Sequence, residues 1–275
     1  MKFDFFDSHV HLRACNGGPH PVDDILEGLR TNYRKGSVIL ARTFFGDQTV
    51  EGFKFFDDYA LKLKKKSPDF IYPFLLPDIS PRSGDPDFDE VEYAKSRFDE
   101  GFVGVGEVGV LASKNAWKLP SQQDKLFDLA GRYGFPVAGH IWHEPNDYRA
   151  FLKRHPNTNF IECHANSKGL GRPNTWWKWA PEIFEEFDNL YLELFYLDTK
   201  KDAMSGVMNT EAIKVIKEYP ERFLMGTDAT IRFDSVLGMP MDAWVDYWKK
   251  ILSHLPREAA KDVATNNIKK LINIL

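Results

Sequence analysis

The stretch FFDSHVHL, residues 5–12, opens the chain with an apolar run that carries three titratable side chains at alternate positions. Alternate residues of a β-strand lie on the same face of the strand. Asp7, His9 and His11 are therefore predicted to share one face of a first strand, with the two histidines at its end. Burying such groups without partners would be costly, so the stretch predicts a strand that ends in a polar site.

The rest of the chain repeats one unit, in which a short apolar run is followed by a longer amphipathic stretch. Such alternation predicts a parallel sheet with crossover helices. Eight repeats over 275 residues favour an α/β fold of the closed (β/α)8 TIM-barrel type over an open doubly wound sheet, which is the alternative. The predicted strands span 2–10, 37–43, 70–76, 102–110, 135–141, 159–165, 189–195 and 222–228. The predicted helices span 22–34, 50–65, 88–99, 121–133, 145–154, 174–187, 208–219 and 241–254, with an extra C-terminal helix at 256–273.

Composition limits the class of protein. No low-complexity tract or linker divides the sequence, so one domain over residues 1–275 is predicted. The net charge of −4 gives no support for nucleic acid or an anionic membrane as a partner. No apolar run is long enough for a membrane span or a signal peptide, and the two cysteines form no CxxC pattern. We expect a soluble, cytoplasmic protein with a small-molecule substrate, and a homo-oligomer is compatible with the sequence.

Polar residues fall at the ends of five of the eight predicted strands, where a parallel barrel forms its active site. The imidazoles of His9 and His11 can hold one metal ion between them. Taken singly, each polar residue also has a structural explanation, such as a hydrogen-bonded histidine, a salt-bridged glutamate or, for Asp228, a helix N-cap. A metal centre satisfies all of them together. The candidate ligands are His9, His11, Glu107, His140, His164 and Asp228.

Several segments resemble the amidohydrolase superfamily of metal-dependent hydrolases. DSHVHL (7–12) looks like its opening strand motif, FPVAGHIWH (135–143) like its strand-five histidine segment, and RFLMGTDAT (222–230) like its strand-eight aspartate segment. GVGEVGV (104–110) is similar to the GEIGLD-type segment of TatD-type hydrolases, without its Leu-Asp pair. NFIECHANSKG (159–169) and NLYLELF (189–195) instead resemble the second amidohydrolase branch, which contains decarboxylases and lactonases.

The resemblance implies a distorted TIM barrel that binds a divalent metal, with zinc the first expectation and manganese or another ion as alternatives. Glu107 separates two models of the centre. With Glu107 as a ligand, two ions are expected; without it, a single ion is the simpler model. By position, the metal and catalytic set implied by the resemblance is His9, His11, His140, His164 and Asp228.

Two residues of this set are given roles in the reaction. Asp228 is predicted to be the general base that takes a proton from metal-activated water and later passes it to the leaving group. His164 is predicted either to bind a second ion or to orient the attacked oxygen. Asp7 and Glu162 are expected to lie inside the barrel and support the histidines, whereas Cys163 is expected to face the helices. Residues that follow the strands are predicted to bind an anionic substrate: Arg13, Arg42, His143, Lys168, Arg172 and Arg232.

The function predicted from these features is hydrolysis of a small-molecule amide, ester, lactone or phosphoester. Three alternatives are a non-oxidative decarboxylase on the same scaffold, a TatD-type metal-dependent nuclease and a non-catalytic metal-binding barrel. A nuclease would need a basic groove, and the net charge of −4 argues against one. The presence of Asp228 argues against a barrel without activity.

Overall fold

Nine short strands lie in the part of the chain that the computed structural model describes, which is residues 4–12, 21–32, 35–40, 50–75, 88–108, 120–140, 145–164, 176–194, 209–230 and 241–275. They are β1 (Phe6–His11), β2 (Gly36–Leu40), β3 (Ile71–Phe74), β4 (Val105–Val108), β5 (Val137–Gly139), β6 (Phe160–Glu162), β7 (Leu190–Leu194), β8 (Phe223–Met225) and β9 (Ala229–Thr230). Each of the eight predicted strands is present within a few residues of its expected position. β9 is a short additional strand, separated from the end of β8 by three residues.

The helices between the strands also match the prediction. They are α1 (Val22–Asn32), α2 (Val50–Lys66), α3 (Glu90–Glu100), α4 (Pro120–Tyr133), α5 (Pro145–Arg154), α6 (Trp176–Glu186), α7 (Thr210–Glu218) and α8 (Met241–Ser253). Two of them begin after a capping side chain, since Asp89 and Asn209 each accept bonds from two main-chain N–H groups of the first turn. Within the described segments, no helix combines the length and the apolar character needed to cross a bilayer.

The strands pair in parallel and in chain order. One sheet has the order β3-β2-β1-β9 and the other the order β4-β5-β6-β7-β8. Leu75, just after β3, forms a parallel bridge with Val105 of β4, and Gly106 N donates to Leu75 O at 2.8 Å. At the other side, β8 and β9 follow one another along the chain, and β9 pairs with β1. The strand contacts therefore run round all eight positions, and the predicted (β/α)8 barrel is confirmed.

An extra segment at the C-terminus covers the end of the barrel where the strands begin. It consists of α9 (Arg257–Lys261), a π-helical turn (Asp262–Asn266) and α10 (Asn267–Leu271). Asn267 donates through its side chain to the carbonyl oxygens of Pro220 and Phe223, and Thr265 Oγ1 donates to Asp4 O. The segment also adds side chains to the apolar cluster that contains the inward-facing residues Phe6, Val38, Phe74, Ala138, Ile161 and Leu224. This confirms the predicted C-terminal helix.

Two strands contain a register shift at the residues that matter for the site. β1 gains one residue on β2 between Asp7 and Val10, and β4 gains one residue on β5 between Val105 and Val108. A bulge of this kind interrupts the alternation of inward and outward side chains. In β4 the bulge depends on Gly106, because a Cβ at this position would lie 2.7 Å from Ala138 O and φ is +150°. His9 and Glu107 are both placed by these irregular stretches.

Candidate metal centre

All six candidate ligands lie together at the C-terminal ends of the strands. They come from five strand positions around the barrel, β1, β4, β5, β6 and the segment between β8 and β9. Five of the six are classed as buried, with exposed fractions from 1% for His9 to 9% for His11, and the side chain of His164 is 9% exposed. Residues more than 200 positions apart in sequence thus converge on one small volume.

One half of the centre is formed by His9, His11 and Asp228. The Nε2 atoms of the two histidines lie 3.0 Å apart. Asp228 Oδ1 lies 3.0 Å from His11 Nε2 and 3.5 Å from His9 Nε2. The candidate ligand atoms of the three residues all lie within 4.8 Å of one another, so a single divalent ion can contact all three.

The other half is formed by Glu107, His140 and His164. Glu107 Oε1 lies 2.5 Å from His140 Nε2 and 3.2 Å from His164 Nε2. The second oxygen of the same carboxylate, Oε2, points to the first half, 3.2 Å from His11 Nε2 and 3.6 Å from His9 Nε2. Each oxygen of Glu107 therefore faces one half of the centre.

The backbone bends at two of these residues. His164 has φ +52° and Asp228 has φ +48°, both in the left-handed region. Histidine and aspartate are among the residues that adopt this region more readily than most. Both residues lie just beyond a strand, His164 after β6 and Asp228 after β8. The turn in the backbone redirects each side chain towards the other candidate ligands instead of continuing the alternation of the strand.

The charges of the centre are mutually dependent. Burial opposes the charged form of Glu107, but the imidazoles of His140 and His9 hold the pKa of this carboxyl well below its usual range. Burial likewise opposes imidazolium, yet the nearby carboxylates raise the pKa of His9 well above its usual value and that of His11 to about 9. The pKa of Asp228 is lowered despite burial, chiefly by the hydrogen bond from His11. In the absence of an ion, protons on the histidines balance the carboxylates.

The donor set suits a divalent cation. Imidazole nitrogens with carboxylate oxygens are ligands for zinc, manganese and related ions. Glu107 Oε1 is buried, and the imidazole nitrogens of His140 and His164 lie within 3.2 Å of it. These donor atoms converge on a shared region, which is the arrangement expected of ligands around an ion.

One residue that supports the centre was not assigned this role from the sequence. Glu193 of β7 lies behind His9, with its two oxygens 3.0 Å and 3.1 Å from His9 Nδ1. The only signal for it in the sequence is a glutamate in the otherwise apolar run NLYLELF. Glu162 acts on a different histidine, since its charge contributes to the raised pKa of His140.

Two orientations expected from strict alternation are wrong. Asp7 was expected inside the barrel behind a histidine ring, but it accepts hydrogen bonds from Thr227 N at 3.0 Å and Thr227 Oγ1 at 2.6 Å, and thereby ties β1 to the end of β8. It lines a small cavity against Trp248 of α8, because the bulge after it reverses the faces of β1. Cys163 was expected to face the helices, but it packs in the inner cluster with Phe6 and Leu224.

The predicted substrate-binding residues lie outside the part of the chain that the structure describes. This holds for the whole group: Arg13, Arg42, His143, Lys168, Arg172 and Arg232. Their role stays a prediction.

Comparison with known proteins yields one family and a set of similar folds. A family model described as amidohydrolase matches residues 7–274. No protein with a curated description matches the chain.

Three solved structures illustrate the fold. A probable 2-pyrone-4,6-dicarboxylic acid hydrolase from Acinetobacter baumannii, with citric acid bound, has a TM-score of 0.65 and 13% identity over 98% of this chain and 100% of its own. An uncharacterized TIM-barrel protein from Bordetella bronchiseptica has a TM-score of 0.65 and 15% identity, with 99% of both chains covered. A dihydroxybenzoic acid decarboxylase from Polaromonas sp. JS666, with bound manganese and 2-nitroresorcinol, has a TM-score of 0.65 and 13% identity over 99% of this chain and 98% of its own. At these identities the likeness concerns the fold.

Proposed function

Because the chain belongs to the amidohydrolase family and is thus an enzyme of the amidohydrolase superfamily, we propose that it is a metal-dependent hydrolase of a small molecule. One observation carries the proposal. Six histidine and carboxylate side chains from five strand positions, each with at most about a tenth of its surface exposed, converge with their ligand atoms a few ångströms apart. We propose that the whole chain, residues 1–275, forms the one domain that holds this centre.

We propose two ion positions that share Glu107. Its Oε2 faces the group of His9, His11 and Asp228, and its Oε1 faces His140 and His164. A carboxylate with one oxygen facing each of two donor groups could serve an ion on either side. Zinc is the first candidate, and manganese is the second.

A divalent ion held in this centre would supply Lewis acidity, which activates water and polarises a carbonyl or phosphoryl oxygen of the substrate. Asp228 takes the proton of the attacking water. It then returns the proton to the leaving group. With two ions, His164 would hold the second one together with Glu107 and His140. With a single ion, His164 would instead orient the oxygen that is attacked.

The substrate proposed is a small amide, ester, lactone or phosphoester that carries negative charge. The support is chemical, because arginine binds carboxylate and phosphate groups through paired hydrogen bonds. The proposed contacts come from the loops that follow the strands: Arg13, Arg42, His143, Lys168, Arg172 and Arg232. A cytoplasmic setting is proposed from the absence of any CxxC pattern in the sequence.

Metal analysis tests the centre. The purified protein is stripped with a chelator, reloaded with zinc or with manganese, and the ions per chain are counted by mass spectrometry. We expect two ions per chain in the wild type and one in Glu107→Gln. A wild type that takes up a single ion, unchanged in Glu107→Gln, would contradict the shared role of Glu107.

A substrate panel tests the reaction. Nitrophenyl esters, lactones and phosphodiesters are assayed with the loaded wild type, with Asp228→Asn as the control that should lose turnover. The fold is shared with a dihydroxybenzoic acid decarboxylase, so carbon dioxide release from 2,6-dihydroxybenzoate is measured in parallel. Decarboxylation without hydrolysis would replace the proposed reaction. Cleavage of single-stranded DNA that falls steeply with salt would instead indicate a nuclease.

A further inference from the structure

A buried carboxylate that takes no part in the proposed reaction lies behind the centre. Glu193 of β7 is 1% exposed, and its oxygens lie 3.0 Å and 3.1 Å from His9 Nδ1. Oε1 of Glu193, which is 3.0 Å from His9 Nδ1, also lies 3.6 Å from His164 Nδ1. His9 belongs to one half of the centre and His164 to the other, so Glu193 is adjacent to one histidine of each half.

We propose that Glu193 is a positioning residue for the metal centre, which accepts a hydrogen bond from Nδ1–H of His9. The inference rests on the proposed function, because it assigns Glu193 a task in holding the ion. An imidazole that binds an ion through Nε2 must carry its proton on Nδ1. A carboxylate that accepts a hydrogen bond from Nδ1–H favours the tautomer with its proton on Nδ1 and fixes the orientation of the ring.

The contacts of Glu193 leave His9 as its main hydrogen-bond donor. Ser8 Oγ lies 3.2 Å from Glu193 Oε2 but only 2.7 Å from Met225 O. A hydroxyl has a single proton, and the shorter contact favours its donation to the Met225 carbonyl. An ionised carboxylate is an acceptor only, so Glu193 depends on the Nδ1 proton of His9 for its strongest bond.

The space that Glu193 occupies is created by a glycine. A Cβ on Gly226, just after β8, would lie 2.4 Å from Glu193 Cδ and 2.6 Å from its Oε2. Any side chain at position 226 would therefore push the carboxylate out of its place behind His9. Gly226 offers a second way to disturb Glu193 without changing its chemistry.

The test measures metal affinity, with a matched control for the loss of a buried carboxylate. Glu193→Gln removes the charge and Glu193→Ala removes the acceptor, while Asp57→Asn alters another fully buried carboxylate, which accepts a bond from Tyr93 far from the centre. Zinc dissociation constants are determined by competition with a chromophoric chelator. We expect zinc binding about tenfold to hundredfold weaker in Glu193→Ala, a smaller loss in Glu193→Gln and no change in Asp57→Asn.

A second readout does not need the ion. In histidine labelled with nitrogen-15, the Nδ1 proton of His9 in the metal-free wild type should give a hydrogen-bonded, slowly exchanging signal that is absent in Glu193→Ala. Wild type that binds no ion but shows this signal would refute the proposed function and leave the contact of Glu193 with His9 intact. Equal zinc affinity in wild type and Glu193→Ala would refute the inference and leave the proposed function standing.

Gly226→Ala provides a second test, which disturbs the position of Glu193 and leaves the glutamate in the chain. Gly226→Ala alone should weaken zinc binding, because it displaces the carboxylate. In a Glu193→Ala background the same change should have little further effect, since the space is then empty. An equal loss in both backgrounds would contradict the proposal.

Discussion

Metal binding by this protein should be strongly linked to proton release, and the pH is the perturbation that reveals it. Burial disfavours the charged imidazolium of His11, but Asp228 and Glu107 outweigh burial and raise its pKa to about 9. A raised pKa means that the metal-free protein holds this proton at every pH below about 9. An ion that binds Nε2 has to displace it. Binding must therefore weaken as the pH falls.

The weakening of metal binding follows from the difference between the pH and the pKa of His11. At pH 7, two units below the pKa, displacing the His11 proton weakens binding about a hundredfold, which is about 2.7 kcal/mol. The apparent association constant should rise about tenfold for each pH unit up to about 9 for this proton. The pKa of His9 is also raised well above its usual value, so release of a second proton adds to the slope.

Calorimetry at pH 7 in two buffers of different ionisation enthalpy counts the protons released, and zinc competition from pH 6 to 9 gives the slope. His11→Gln should reduce the slope by one proton. His254→Gln, at an exposed histidine outside the centre, should leave it unchanged. A wild-type affinity that is the same at pH 6 and pH 9, with no proton released, would refute the reasoning.

Three further predictions concern stability. The pKa of His11 is about 9 in the folded protein against an ordinary 6.5, so protonation of His11 stabilises the metal-free fold, and this stabilisation is complete below pH 6.5. The thermal midpoint of the metal-free protein should therefore fall as the pH rises from 6.5 to 9. A midpoint that rises over this range would contradict the prediction. Gly106→Ala should lower the free energy of unfolding in urea by about 1–3 kcal/mol more than Gly101→Ala, because both have positive φ but only the first meets a carbonyl oxygen on β5; equal losses would exclude the clash. Asn267→Ala should cost about 1–3 kcal/mol, because it removes the side-chain donor to the half-buried carbonyl of Pro220 and the buried carbonyl of Phe223. Asn273→Ala, which loses one exposed bond, should cost less, and the reverse order would show that α10 does not anchor the segment.

The strand and helix pattern of this fold was accessible from the sequence because parallel strands are buried on both faces. Such strands read as short apolar runs separated by amphipathic stretches, and each run is a strand in the structure. The residues of the centre were accessible for a related reason. A histidine or carboxylate at the end of an apolar run is expected at the C-terminal end of a buried strand. Its position in the run therefore already places it at the end of the barrel where the active site forms.

Which face of its strand each side chain lies on could not be predicted from the sequence in the same way. Alternation was extrapolated through β1, but the extra residue between Asp7 and Val10 reverses the faces, and the register of β1 depends on β2 rather than on the local sequence. After β6, Cys163 keeps the inward orientation of Ile161. The left-handed backbone at His164 is what departs from the alternation, so the prediction that placed Cys163 opposite to His164 was wrong. Glu193 was missed as a support for His9 because its role depends on a ring that is 184 positions away in the chain.

The irregular backbone under this centre has a consequence for protein engineering. Grafting the same side-chain identities onto a regular eight-stranded scaffold would not reproduce the geometry, because Glu107 depends on the bulge in β4 and His164 on its left-handed turn. Deleting a single residue from either strand would rotate the donors away from one another even if every donor were kept. Transfer of this site to another protein therefore requires whole strand segments with their backbone conformation. A mutant library that varies only the identities of the donor residues would leave the backbone geometry uncorrected.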